Sequence, residues 1–216
     1  MPKTFKTMAA LAVLSFMGTA QAEVSANLGF NSDYIFRGVP QAESSANGGI
    51  DFEQSGFYLG TWAAAVKPGL EVDIYGGYRH EWDNGLNLGA GFTGYYYTDD
   101  FDDTYKEINL YAGYKIVSVE YAAGQWDAFD ASTADYDYVA VTVEYSGIYG
   151  KFGSWGKDFD GNYFELGYGQ EVAGFDLGVS LIRSSKELSQ NVDADFNPTE
   201  DTFFVFSISK SFGLMD

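Results

Sequence analysis

The chain has 216 residues, with 31 acidic against 12 basic side chains, a formal net charge of −19, and no cysteine. Such a balance repels nucleic acid, which needs a basic stripe, and the missing thiols exclude a disulfide framework, a thiolate metal site and a lipid-modified N-terminal cysteine. After residue 22 no apolar run reaches the ~20 residues of a membrane-spanning helix, whereas 26 glycines, 18% aromatic residues and only four prolines suit many strands joined by short turns.

Residues 1–22 read as a cleaved signal peptide, with Lys3 and Lys6 ahead of a short apolar run over 8–17 and Ala20-Gln21-Ala22 at the cleavage site. Their loss leaves 10 basic residues against 31 acidic ones, a formal −21. Residues 23–216 show no linker and are expected to form one all-β domain. Over 24–37, Val24, Ala26, Leu28, Phe30, Tyr34 and Phe36 share one parity, and Ser25, Asn27, Gly29, Asn31, Asp33 and Arg37 share the other. A polar connection over 38–46 leads to a strand in which Ile50 and Phe52 oppose Asp51 and Glu53. Gln54-Ser55-Gly56 turns the chain into 57–66, where Tyr58, Trp62 and Val66 are expected to face outward.

The strongest strand signal is the hairpin over 71–97. Val72, Ile74, Leu88 and Phe92 alternate with Glu71, Asp73, Arg79, Gly89 and Gly91, and Asp83-Asn84-Gly85 supplies the positive φ of a tight turn. An acidic loop, 98–104, precedes a strand in which Ile108 and Leu110 oppose Glu107 and Lys115; the next carries Val117, Val119 and Tyr121 on its apolar parity. A second acidic loop, 127–135, leads to Val139, Val141, Val143 and Tyr145, and Ser146-Gly147 turns the chain into 148–156. After a polar connection over 157–162, Phe164, Leu166 and Tyr168 alternate with Glu165. A turn at 172–174 then leads to Leu177, Val179 and Leu181. The longest loop, 184–201, precedes a last strand with Phe204, Phe206, Ile208 and Phe212 on one parity.

The expected architecture is a transmembrane antiparallel up-and-down β-barrel of about 12 strands. Turns near 54, 84, 117, 146 and 173 are tight, while connections at 38, 98, 127, 157 and 184 are longer and mostly acidic; only Lys67-Pro68-Gly69 is short on the long side. Outer-membrane barrels sort their loops in this way, short in the periplasm and long outside, whereas a soluble sandwich has no reason to. Strands of about ten residues tilted near 40° rise about 25 Å, and twelve of them give a radius of roughly 12 Å, room for a narrow passage.

Period-two alternation assigns the faces. Leu28, Phe30, Val72, Ile74, Leu88, Phe92, Ile108, Leu110, Val139, Val141, Leu166, Leu177, Phe204 and Phe206 are expected to face lipid. Asp33, Arg37, Asp51, Glu53, Glu71, Asp73, Arg79, Glu107, Lys115, Glu120 and Glu165 are expected to line the pore, since charges in hydrocarbon are very costly. Their carboxylate excess favours cations over anions if a water path persists. Tyr34, Tyr96, Tyr114, Tyr121 and Tyr145 are expected in aromatic girdles at the lipid boundary.

Ser32-Asp33-Tyr34-Ile35-Phe36-Arg37-Gly38, followed by Gln41, resembles the N-terminal hallmark of a family of Gram-negative envelope proteins, the Gcw-chp conserved hypothetical proteins or TorF-type porins. Gly56-Phe57-Tyr58, Gly60 and Trp62, then Glu71, Asp73, Tyr75 and Gly77-Tyr78, resemble its next two blocks. Pro40 stands where that pattern has serine. The resemblance implies an outer-membrane barrel and a pore. It implies no established substrate and no catalytic residue.

Arg37 is the leading site candidate, either lining a constriction or paired with an acidic neighbour on an adjoining strand. Asp99, Asp100, Asp102 and Asp103, and separately Asp158, Asp160 and Asn162, offer oxygen ligands of the kind calcium takes. The second set lacks a downstream bidentate glutamate, so solvated loops are the preferred reading and no metal or cofactor is expected. His80, the single histidine, has no serine near it and falls beside Trp82 on the apolar face, so no enzyme is expected. Phe212 resembles the terminal aromatic used by the barrel-assembly machinery, although residues 213–216 follow it.

The expected function is passage of small polar or cationic solutes across the outer membrane of a Gram-negative bacterium, with outer-membrane lipid and the assembly machinery as partners. A closed structural or surface-interaction barrel is the alternative. A soluble periplasmic barrel binding an apolar ligand is the third reading, and it requires the opposite orientation of the two faces.

Overall fold

Alternation of side chains over runs of 9 to 16 residues, punctuated by glycine turns, gives strands throughout a computed structural model that describes residues 22–129 and 132–215. The expected signal peptide, 1–22, lies outside the described residues except for Ala22. In chain order the strands are β1 (Glu23–Phe36), β2 (Val39–Gln54), β3 (Phe57–Ala65), β4 (Leu70–Glu81), β5 (Leu86–Tyr97), β6 (Tyr105–Tyr114) and β7 (Val117–Trp126). They continue with β8 (Ala134–Tyr145), β9 (Ile148–Lys157), β10 (Asn162–Val172), β11 (Phe175–Ser184), β12 (Asn191–Val192), β13 (Pro198–Thr199) and β14 (Asp201–Met215). Twelve of them pair antiparallel with their chain neighbours, and β14 joins β11 to β1 to close the barrel. The short pair β12 and β13 forms a separate ribbon inside the longest loop, where no strand is expected from the sequence. No helix among the described residues is long and apolar enough to cross a membrane, which says nothing of a β-barrel.

Four hairpins turn on two residues that both have positive φ: Arg37-Gly38 (47° and 86°), Ser55-Gly56 (52° and 88°), Ser146-Gly147 (53° and 82°) and Ala173-Gly174 (54° and 78°). This is the pairing that matches strand twist. The β4–β5 turn differs from expectation, because Gly85 alone takes positive φ (84°) and its N–H donates to the Trp82 carbonyl at 2.9 Å.

Three sequence-based expectations are corrected. The connection after Arg37 is not a polar loop over 38–46: the chain turns at once and β2 begins at Val39. The faces of β3 are also reversed. Tyr58, Trp62 and Val66 point inward, whereas Phe57 and Leu59 are exposed. The reason is steric: the Tyr58 ring crosses Gly77 and Gly91 on β4 and β5, where a Cβ at Gly91 would sit only 2.3 Å from the phenol oxygen. Glycine-rich inner positions on one strand thus accept a tyrosine from its neighbour, a relation that the β3 sequence does not reveal. Third, Lys115 lies on the β6–β7 turn with its ammonium 5.0 Å from the Tyr114 ring centre, away from the lumen.

Leu88, Phe92, Leu110 and Val141 are 44%, 53%, 49% and 41% exposed on the outside of the barrel. A soluble carrier of an apolar ligand would have packed them together inside, so that reading is set aside. Leu28, Phe30, Ile74, Ile108, Val139, Leu166, Phe204 and Phe206 are exposed on the same outer face, with Val72 and Leu177 half-exposed. Tyr96, Tyr114, Tyr121 and Tyr145 are exposed too. Tyr34 is not, being 2% exposed inside the barrel. The buried core therefore fills the lumen, around Tyr136, Tyr138, Trp155, Tyr163 and Ile182 on one side and Tyr34, Ala64 and Val66 on the other.

Candidate functional site

The tip of the β1–β2 hairpin occupies the centre of the barrel. Its strands begin as wall, but their last residues leave it and fold inward, bringing Arg37 and Gly38 against strands far around the circumference. The Trp155 indole on β9 donates to the Arg37 carbonyl at 3.0 Å, and the Ser184 hydroxyl at the end of β11 donates to the Gly38 carbonyl at 2.6 Å. Gly38 is required twice, by its φ of 86° and by the Tyr163 ring on β10, which a Cβ would meet at 2.8 Å. Folding the tip inward also inverts its faces. Tyr34, on the parity of the outward Leu28 and Phe30, packs edge-on against Trp62 and donates its hydroxyl proton to Glu71 at 2.5 Å. Asp33, on the expected lumen parity, faces a cleft on the other side of the hairpin.

Arg37 is buried and paired, but not with a neighbour on an adjoining strand. Its guanidinium donates to both oxygens of Glu107 on β6 at 2.8 and 2.9 Å and to Glu120 on β7 at 2.9 Å. The Tyr138 ring centre lies 4.2 Å from its Cζ. Delocalised charge, five donors and a flat face explain why arginine suits this position and lysine does not. Glu107 also accepts from Tyr95, Tyr136 and Asn109, at 2.8, 3.0 and 2.6 Å. A buried carboxylate so heavily solvated by donors is the anchor of the lumen.

Of the remaining expected pore residues, Glu71 and Asp73 are buried on β4 beside this cluster. Among the described residues Asp73 Oδ1 has no hydrogen-bond partner. Towards the other end, Asp51 accepts from Tyr75 at 2.5 Å and from Asn27 at 3.3 Å. Arg79 stacks over Tyr111 at 4.6 Å, and Tyr149 donates to Glu165. Glu53 is half-buried and opposite Tyr58. The sequence reading passed over Lys151, which faces inward directly opposite Glu165 across β9 and β10. The alternation of Tyr149, Lys151, Gly153 and Trp155 against Ile148 and Phe152 was the signal that could have found it.

The acidic loops turn their carboxylates to protein donors. Asp102 accepts from Tyr105 at 2.9 Å and from Trp126 at 3.0 Å, Asp158 from the Asp135 N–H at 2.9 Å, and Asp160 from the Gly161 N–H at 2.7 Å. Among the described residues no group of three or more acidic or histidine side chains is placed to hold a metal ion. His80 and Trp82 meet edge-to-face at 4.5 Å.

A closed antiparallel barrel, apolar outside and lined within by carboxylates, arginine and tyrosine, has the build of an outer-membrane β-barrel. The sequence matches the family described as "Bacterial protein of unknown function (Gcw_chp)" over residues 16–212, and the chain belongs to that family. No curated protein matches it in sequence. Among solved structures, one from a study of the in-meso crystallization of membrane proteins is similar over 89% of this chain and 84% of its own, at 10% identity and a TM-score of 0.60, which is a likeness of fold. The outer membrane protein OpdK of Pseudomonas aeruginosa aligns over 88% of this chain and 67% of its own, at 11% identity and a TM-score of 0.43. A mutant Rh. blastica porin aligns over 89% and 99%, at 9% identity and a TM-score of 0.36.

Proposed function

We propose that this chain is a small outer-membrane porin of a Gram-negative bacterium, of the TorF type, which passes small polar solutes with a preference for cations. In this reading the leader is cleaved after Ala22, both termini lie in the periplasm, and the outward apolar residues contact lipid. The observation that carries it is the sign of the interior, where Glu71, Asp73, Glu107 and Glu120 share the lumen with Arg37. Carboxylates fixed in a passage raise the local concentration of cations and oppose anions. A second reading, a closed barrel without transport, is favoured by the density of the tyrosine and hairpin layer, in which Tyr95, Tyr136 and Tyr138 are 2%, 1% and 0% exposed. Planar-bilayer recording under a potassium chloride gradient separates the two. Conductance steps with a reversal potential of cationic sign are expected; a silent bilayer containing demonstrably folded protein would refute transport.

A further inference from the structure

On one flank of the first hairpin the wall is unpaired. The β1–β14 ladder stops at Asn31↔Ser207, yet β14 continues to Asp201 beside β11. On the other flank the β2–β3 ladder stops at Asn47↔Ala64, one residue before β3 itself ends at Ala65. Past these points two side-chain hydroxyls span the break: Ser32 Oγ accepts from the Phe206 N–H at 2.9 Å, and Ser45 Oγ donates to the Ala65 carbonyl at 2.8 Å. Residues 32–37, which would extend β1 along β14, belong to the segment folded into the lumen. A cleft of about 610 Å³ lies between the hairpin and the wall, lined by Asp33 and Ile35 of the hairpin, by Asp201 and Phe203 of β14, and by Lys67.

We propose that the hairpin tip has two seats: the lumen, and the unpaired edge of β14 in the wall. Continuing the register from Asn31↔Ser207 sets Tyr34 opposite Phe204, Phe36 opposite Thr202 and Arg37 opposite Asp201. Three features fit the second seat. Arg37, leaving Glu107 and Glu120, meets another carboxylate. Tyr34 and Phe36 regain the outward parity of Leu28 and Phe30, where an aromatic at the lipid boundary is at home. The β14 edge gains a partner: Phe206 directs its N–H towards β1, so by alternation Phe204 directs its backbone groups into the cleft, and an open strand edge is what a membrane barrel is built to avoid.

The chain also has joints where the hairpin leaves the wall. A bulge interrupts the β1–β2 register between Tyr34 and Ile35, Ser44 takes φ of 60°, and Gly48-Gly49 follows Asn47 at the end of the β2–β3 ladder. Moving to the wall seat uncovers Glu71, Asp73, Glu107 and Glu120 together. The movement therefore deepens the porin reading and rests on it for one consequence only, the opening of a cation path.

A chain without cysteine permits a clean disulfide test. Phe36→Cys with Thr202→Cys, and separately Tyr34→Cys with Phe204→Cys, join residues at directly opposed, hydrogen-bonded positions of the continued ladder, a separation a disulfide spans. In the lumen seat these pairs lie on opposite sides of the wall: Tyr34 is buried inside, whereas Phe204 is 62% exposed outside. Full-length barrel in phosphatidylcholine vesicles, oxidised mildly, is expected to cross-link at both pairs, about tenfold faster or more when Arg37→Ala weakens the lumen seat. Failure of both pairs to cross-link in barrels that migrate as folded before heating overturns the two-seat proposal. Cross-linking in a bilayer that stays silent in both redox states supports the two seats and refutes the porin reading; current that rises on oxidation and falls on reduction supports both.

Discussion

Removing the Arg37 guanidinium should free the hairpin before it weakens the barrel. Arg37→Ala deletes three charge-assisted hydrogen bonds and leaves Glu107, whose side chain is 0% exposed, without its cation. Breaking a buried ion pair on one side costs about 3–5 kcal/mol. The three remaining donors from Tyr95, Tyr136 and Asn109 set the loss near the lower end, about 3 kcal/mol. The wall ladders do not depend on Arg37, so this loss falls on the docking of the tip. An opening equilibrium shifted by about 3 kcal/mol speeds amide exchange by more than about a hundredfold over residues 34–46. Hydrogen exchange read by mass spectrometry, with the β10–β11 pairs around their shared turn at Ala173-Gly174 as internal references, measures it. Arg37→Lys should fall between, keeping a charge but losing the fork that grips both Glu107 oxygens. Exchange in the hairpin within threefold of the native protein would refute the assignment of Arg37 as its principal anchor.

Leu110→Arg, near the middle of β6 and 49% exposed on the outer face, should cost about 2–4 kcal/mol in vesicles if that face meets hydrocarbon. The same change at Ala194, exposed in the turn between β12 and β13, should cost almost nothing; equal midpoints in urea for the two variants would contradict the lipid assignment. In the longest loop, hydrogen bonds from the backbone and then the side chain of Asn197 hold the Asp193 carboxyl below the ordinary aspartate range. The turn they form is therefore fully stabilised above about pH 4 and loosens as acidification carries the pH through the lowered value. Exchange of the Asn197 amide should rise only below about pH 4, and Asp193→Asn should abolish that dependence.

Strand number, chain order and most inside-outside assignments were legible because they rest on a local rule. A side chain's face in a strand follows from its parity, and Ile74, Phe92, Leu110 and Val141 obey it regardless of what lies across the barrel. The same rule placed Glu71, Asp73, Glu107 and Glu120 inside. It failed on β3, where Tyr58 points inward because glycines one and two strands away leave room for its ring. It also failed at Tyr34, which keeps its parity while the strand carrying it leaves the wall. Arg37 reads as the last residue of a strand and Gly38 as the start of a loop, although the pair is built like Ser55-Gly56, since arginine is not a residue that announces a turn.

By itself, then, the sequence determined a closed-up set of amphipathic strands and the negative sign of what they enclose, because both follow from residues one and two positions apart. Only the tertiary structure decided that the enclosed space is occupied, and by which segment. The bonds that hold Arg37 in the lumen join it to residues 70 and 83 positions along the chain, and its carbonyl to one 118 positions away. Contacts of that range have no periodicity to read; they exist once the barrel has closed and brought β6, β7 and β9 within reach of the first hairpin.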